Sequence, residues 1–196
     1  MKSVCALAAL FFLAGPVLAA GSPAADMAAM PRCVWAKSAP ADRVLINRGT
    51  DDLNLPAVDV LVVHLAEKSA DDARTCAANA GRDPAAAVKI MIIGFSQESL
   101  ADQMGRELGL TREKLDAAII GAPPEVATAA RTLAEAAGPR RIDPARFPSM
   151  GPIFAALGQP RFEGAPKSRS AYLISAYVMN AFQLKVLAER YVAATP

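Results

Sequence analysis

Residues 171–184 carry no charge. No other feature restricts the fold as much. A helix that is apolar nearly all round must be enclosed on every side. The stretch is too short to span a bilayer, which takes about 20 residues, and Ser175, Asn180 and Gln183 interrupt it. Its expected place is the buried centre of a helical bundle. Tyr172, Leu173, Tyr177, Phe182, Leu184, Leu187 and Tyr191 are then core or near-core residues.

The rest of the chain reads as Ala-rich helices separated by Gly and Pro, with only short β-branched runs. A first helix is expected over residues 30–48 in two parts. Pro40 starts the second part, Ser38 is a candidate cap, and Gly49 ends it. Asn54 is a cap for a long helix over 56–80, in which Val58, Leu61, Val62, Leu65 and Ala66 recur at three and four residues. Asp83-Pro84 is a cap followed by proline at the first helical position. The helix it opens is expected to weaken at Gly94 and Ser96, with Ser96 capping a new segment over 97–108 that stops at Gly109. Thr111 caps a short helix to 120, and another covers 124–137. From 139 to 167 six prolines leave only 150–157 with helical length. The last helix covers about 168–193. The expectation is all-α: a single bundle of five to seven helices with a Pro-rich irregular arm before the C-terminal helix.

Lys2, the apolar run 4–13, the break at Gly15-Pro16 and the small residues before Ala19 and Ala20 form the three-part pattern of a secretory signal peptide. The expected division is therefore 1–20 as signal peptide and 21–196 as one helical domain, with 139–167 as its arm. The expected location is periplasmic or secreted, with no transmembrane segment after cleavage. Removal of the leader takes Cys5 with it and leaves Cys33 and Cys76. Two lone cysteines in an oxidising compartment pair, closing a loop of 43 residues. Two thiolates without a neighbouring His fall short of a metal-binding set, so no metal is expected.

Lys plus Arg number 21 and Asp plus Glu 19. That near-balance excludes a nucleic-acid binder of the usual basic kind. No calcium loop, phosphate loop or dinucleotide fingerprint occurs, so no cofactor is expected. His64 is the sole histidine. Its plain reading is a partly buried side chain with one hydrogen-bond partner. Gly94-Phe95-Ser96-Gln97-Glu98 resembles the Gly-x-Ser-x-Gly nucleophile elbow but has Glu98 in place of the second glycine, and no His follows it.

Gln97-Glu98-Ser99 is also similar to the Glu-Ser at the active site of lytic transglycosylases, which are helical, exported and cleave cell-wall glycan with one glutamate. Residues 176–181, Ala-Tyr-Val-Met-Asn-Ala, are loosely similar to that family's Ala-Tyr-Asn stretch, and its Gly-Leu-Met-Gln segment is missing. The resemblance implies Glu98 as acid/base, with a raised pKa.

Charge is uneven in one place. Between 139 and 169, Arg140, Arg141, Arg146, Arg161, Lys167 and Arg169 face only Asp143 and Glu163. Phe147, Phe154 and Phe162 lie among them. Guanidinium groups beside aromatics hold carboxylates and phosphates. The arm is thus a candidate dock for an acidic protein or an anionic envelope component. The competing reading is that the phenylalanines anchor the arm while the arginines pair with acidic helices or face solvent. The primary functional expectation is a non-catalytic exported protein that binds or is envelope-associated. The alternative is a glycan-cleaving enzyme using Glu98.

Overall fold

A computed structural model describes residues 22–52, 55–159 and 168–194. The leader 1–20 with Cys5, the cap Asn54, and Arg161, Phe162, Glu163 and Lys167 of the arm lie outside the described residues. The described chain is all-helical, with nine α-helices and no strand: α1 Pro23–Lys37, α2 Pro40–Asp51, α3 Leu55–Lys68, α4 Ala70–Cys76, α5 Pro84–Leu108, α6 Arg112–Ile120, α7 Pro124–Ala137, α8 Gly151–Ala156 and α9 Arg169–Ala194. Two 3₁₀ turns add Ala78–Gly81 and Pro144–Arg146.

The expected count of five to seven is corrected for local reasons. The span 56–80 divides at Ser69, where the chain turns so that α4 lies on α1 and Cys76 meets Cys33. The first helix begins at Pro23 rather than near 30, with Ser22 Oγ accepting from the Ala25 amide at 3.1 Å. Pro31 therefore sits inside α1, where proline lacks the amide of a helical bond. What accommodates it is Gly94. A Cβ on Gly94 would lie 2.0 Å from Pro31 Cβ and 2.3 Å from its Cγ. The proline ring fills the space the glycine leaves.

The same contact explains why α5 runs unbroken through Gly94 and Ser96. Ser96 is no cap; its hydroxyl donates to the Ile92 carbonyl at 3.2 Å. Asp83 does cap α5, and Gly109 ends it with φ 63°, a left-handed conformation that glycine adopts freely. Gly94→Ala should therefore destabilise the protein by about 1–3 kcal/mol, because overpacking outweighs the roughly 1 kcal/mol gain in helix propensity. Gly105 is in the same helix, and its nearest neighbour to a new Cβ is 3.9 Å away. Gly105→Ala should stabilise by about 0.5–1 kcal/mol. Urea denaturation of both variants checks the contrast; the same sign for both would refute it.

α5 and α9 form the most extensive helix pair and run antiparallel. The N-terminal half of α5 and the C-terminal half of α9 share one apolar core with α1, α3 and α4, including Met27, Met30, Phe95 and Trp35. The other halves share a second core with α6, α7 and α8, including Leu115, Ile153, Phe154 and Tyr177. The last helix is enclosed as its composition demands. The whole 26-residue helix is long and apolar enough to cross a membrane, yet 67% of its most apolar 18-residue window is buried against the rest of the protein.

Candidate functional site

The two cores meet at a polar layer on α5. Gln97, Glu98 and Ser99 are all buried there. Glu98 forms an ion pair with Arg112 of α6, and its other oxygen faces Arg32 Nε of α1 at 3.9 Å. Arg112 Nη1 donates to Tyr177 Oη at 3.4 Å, and Tyr177 donates to Asp116 Oδ1 at 2.7 Å. Arg32 Nη2 donates to Asp116 Oδ2 at 3.1 Å, which closes the ring. On the opposite side of α5, Ser99 Oγ and Thr50 Oγ1 of α2 share a hydrogen bond of 2.8 Å. Glu98 and Ser99 thus tie α5 to three other helices, α1, α2 and α6.

Burial pushes the Glu98 carboxyl above its ordinary value of 4.5, although Arg112 and Arg32 both pull it down. The folded state then holds this proton more tightly than the unfolded chain. The group's stabilising contribution is complete below pH 4.5 and is lost as pH rises through the raised folded value. Glu107 has the opposite sign, because Arg169 donates to it through Nε and Nη2 and lowers its pKa. That contribution is present above 4.5 and lost as pH falls, but the pair is a third exposed and worth little. Glu98→Gln should flatten the decline in stability from pH 4.5 towards neutrality. Urea midpoints across that range would show it, and an unchanged slope would refute it.

A raised pKa is the direction a general acid needs. The rest of the geometry differs from that role. Both Glu98 oxygens are directed at guanidinium groups, and Glu98 does not line the cleft. The structure does bring together the segments 97–99 and 176–181, with Arg112 between Glu98 and Tyr177.

The cleft lies on the other side of α5, under the Pro-rich stretch. Ser96, Arg141, Tyr172, Asn180 and Gln183 contribute polar groups, and Val58, Leu100, Ile142, Phe147 and Met179 apolar ones. Its volume is about 30 Å³, room for about two waters. Gln183, buried in α9, donates to the Gly138 and Arg140 carbonyls at 2.9 Å each. These two bonds pin residues 138 and 140 to α9. Arg141 is paired with Asp59 of α3 and lies within hydrogen-bonding reach of the Tyr172 hydroxyl. Burial raises the Tyr172 pKa, so the phenol stays protonated at neutral pH.

The arginines of the arm therefore divide. Arg141 and Arg169 are held by Asp59 and Glu107. Arg140 and Arg146 are exposed and make no ion pair among the described residues. Phe154 is buried and Phe147 half-buried, so both anchor the stretch that carries these cations. Arg161 lies outside the described residues. Cys33 and Cys76 form the expected disulfide, with Cα atoms 5.8 Å apart. His64 corrects the sequence reading: it is exposed on the outer face of α3, near Val60 and Val63. Among the described residues no cluster of three or more His, Cys, Asp or Glu is placed to hold a metal ion.

The sequence reading left out Arg112 and Asp116, and it gave Tyr172, Asn180 and Gln183 a place in the last helix but no role in a site. One signal pointed to Arg112. A cation in the first turn of a helix opposes the helix dipole, so Arg112 directly after the Thr111 cap needed another partner. The chain matches no family model, no curated protein and no solved structure.

Proposed function

We propose that this chain is an exported, single-domain helical bundle that binds rather than catalyses, and that its Pro-rich arm, residues 139–167, holds an acidic protein or an anionic envelope component. The observation that carries the reading is the pair of exposed, unpartnered cations Arg140 and Arg146 beside a cleft lined by Arg141. Arg48, Lys89 and Lys114 are also exposed without an ion pair among the described residues, but none of them neighbours a lining residue of this cleft in sequence. The leader pattern and the Cys33–Cys76 bond support export.

Replacing Arg140, Arg141 and Arg146 together with Ala should leave the fold intact, since the Arg141–Asp59 pair is exposed and worth about 1 kcal/mol or less. It should weaken capture of envelope components and remove much of the salt dependence of that capture. A salt-titrated pull-down identical to that of the unaltered chain would count against the reading.

The glycan-cleaving alternative is less well supported. Glu98 is enclosed by Arg112 and Arg32. The cleft lined by Ser96, Arg141, Tyr172 and Asn180 lacks Glu98. Cell-wall digestion that is abolished by Glu98→Gln would revive it.

A further inference from the structure

The cleft beneath the arm is donor-rich. Arg141, Tyr172 and Asn180 line it, and no carboxylate does. The Tyr172 hydroxyl carries a proton it can donate. Neither that proton nor the Asn180 amide has a partner among the described residues. Gln183 is different, because its amide is committed to two backbone carbonyls. Arg141 gives Nε and Nη2 to Asp59, so the uncommitted donors of the opening are the Tyr172 hydroxyl and the Asn180 amide, and they take an acceptor beside a guanidinium.

Size narrows the class. The cleft is small, about 30 Å³, which suits the head group of one side chain. The apolar part of the lining, Val58, Ile142, Phe147 and Met179, suits the methylene stem of an acidic side chain. Arg140 and Arg146 flank the lining residues Arg141, Ile142 and Phe147 in sequence, where they can meet further carboxylates on the same ligand.

We propose that the cleft formed by α3, α5, α9 and residues 141–147 receives one carboxylate side chain of an acidic peptide segment, held by Arg141, Tyr172 and Asn180, with Arg140 and Arg146 binding the flanking acids. This assignment rests on the anionic-partner reading above and specifies its chemistry.

The test uses the purified chain and three probes: a peptide of eight glutamates, a peptide of eight glutamines, and phosphatidylglycerol vesicles. The glutamate peptide should bind and the glutamine peptide should not. Tyr172→Phe and Asn180→Ala change no charge, and each should weaken glutamate-peptide binding about tenfold through loss of a hydrogen bond to a charged group. In the unaltered chain, methyl signals of Val58, Leu100, Ile142 and Met179 should shift on saturation, a readout that depends on no variant. Peptide binding that survives both neutral substitutions, falls only with Arg140→Ala/Arg146→Ala and leaves those methyl signals in place would overturn the cleft assignment while sparing the broader reading. Vesicle binding without peptide binding would overturn the peptide class. Binding to none of the three probes would overturn this assignment, and an unchanged envelope pull-down with the triple arginine variant would then remove the reading beneath it.

Discussion

Arg112→Met should destabilise the protein by about 3–5 kcal/mol at neutral pH, the range seen when one partner of a buried ion pair is removed. Glu98 is only 8% exposed in its side chain, and its remaining cation, Arg32, is 3.9 Å away and more than half exposed. The carboxylate would be left desolvated with a weak, screened partner. Tyr177 would also lose the guanidinium that donates to its oxygen. A domain of this kind has a total margin of about 5–15 kcal/mol, so the variant should sit near the edge of folding. Two controls separate the charge from the packing. Adding Glu98→Leu to Arg112→Met should recover most of the loss, because a well-packed apolar pair can replace a buried ionic one. Lowering the pH towards 4.5 should also shrink the deficit, since the isolated carboxyl then takes up a proton. A loss below about 1 kcal/mol in urea denaturation at pH 7 would mean that Glu98 is solvated in a way its burial does not suggest.

Loss of the disulfide should have an effect of similar size. The bond joins α1 to α4 across 43 residues. In the chain-entropy account a loop of that length is worth about 4 kcal/mol, through the freedom denied to the unfolded chain. The enclosed segment contains α2 and α3, whose attachment to α5 includes the polar contacts Thr50–Ser99, Asn47–Asp102 and Asp51–Arg106. Two of these three contacts, Asn47–Asp102 and Asp51–Arg106, are exposed, and exposed polar contacts resist unfolding less than apolar packing does. Within the loop, α2 is thus the helix most dependent on covalent closure, because it adds only Ile46 to the first core whereas α3 adds Val58, Val62, Leu65 and Ala66. A Cys33→Ser/Cys76→Ser chain should unfold at markedly lower urea, with its first losses of amide protection in α2 to α4. Equal stability of the oxidised and reduced chains would show that the bond closes no freedom that folding has not already removed.

Much of the fold was legible in the sequence, and for a clear reason. Helix ends are set by local chemistry: Asp83-Pro84, Gly109, Thr111, Pro124 and Gly138 each act within a turn of their own position. The uncharged stretch of α9 required enclosure whatever its neighbours were. The boundaries that were misread depended on residues far apart in the chain. Pro31 looks like a helix start until Gly94 supplies the space for its ring. Ser69 looks like helix interior until Cys76 has to reach Cys33.

The candidate site was less legible. The arm cations could be counted, but whether each was matched depended on Asp59 and Glu107 in other helices. The Gln-Glu-Ser triplet stood out, yet its place in a ring with Arg112, Asp116, Tyr177 and Arg32 arises only when α1, α5, α6 and α9 converge. Hydrophobic period, caps and cysteine spacing act over a few residues or through chain connectivity, so the sequence alone determined the all-helical class and the pairing of Cys33 with Cys76. Burial and charge matching are properties of space between elements. Only the tertiary structure could decide that Glu98 is a locked internal charge, and that Arg140 and Arg146 are the arm's unpaired cations among the residues described.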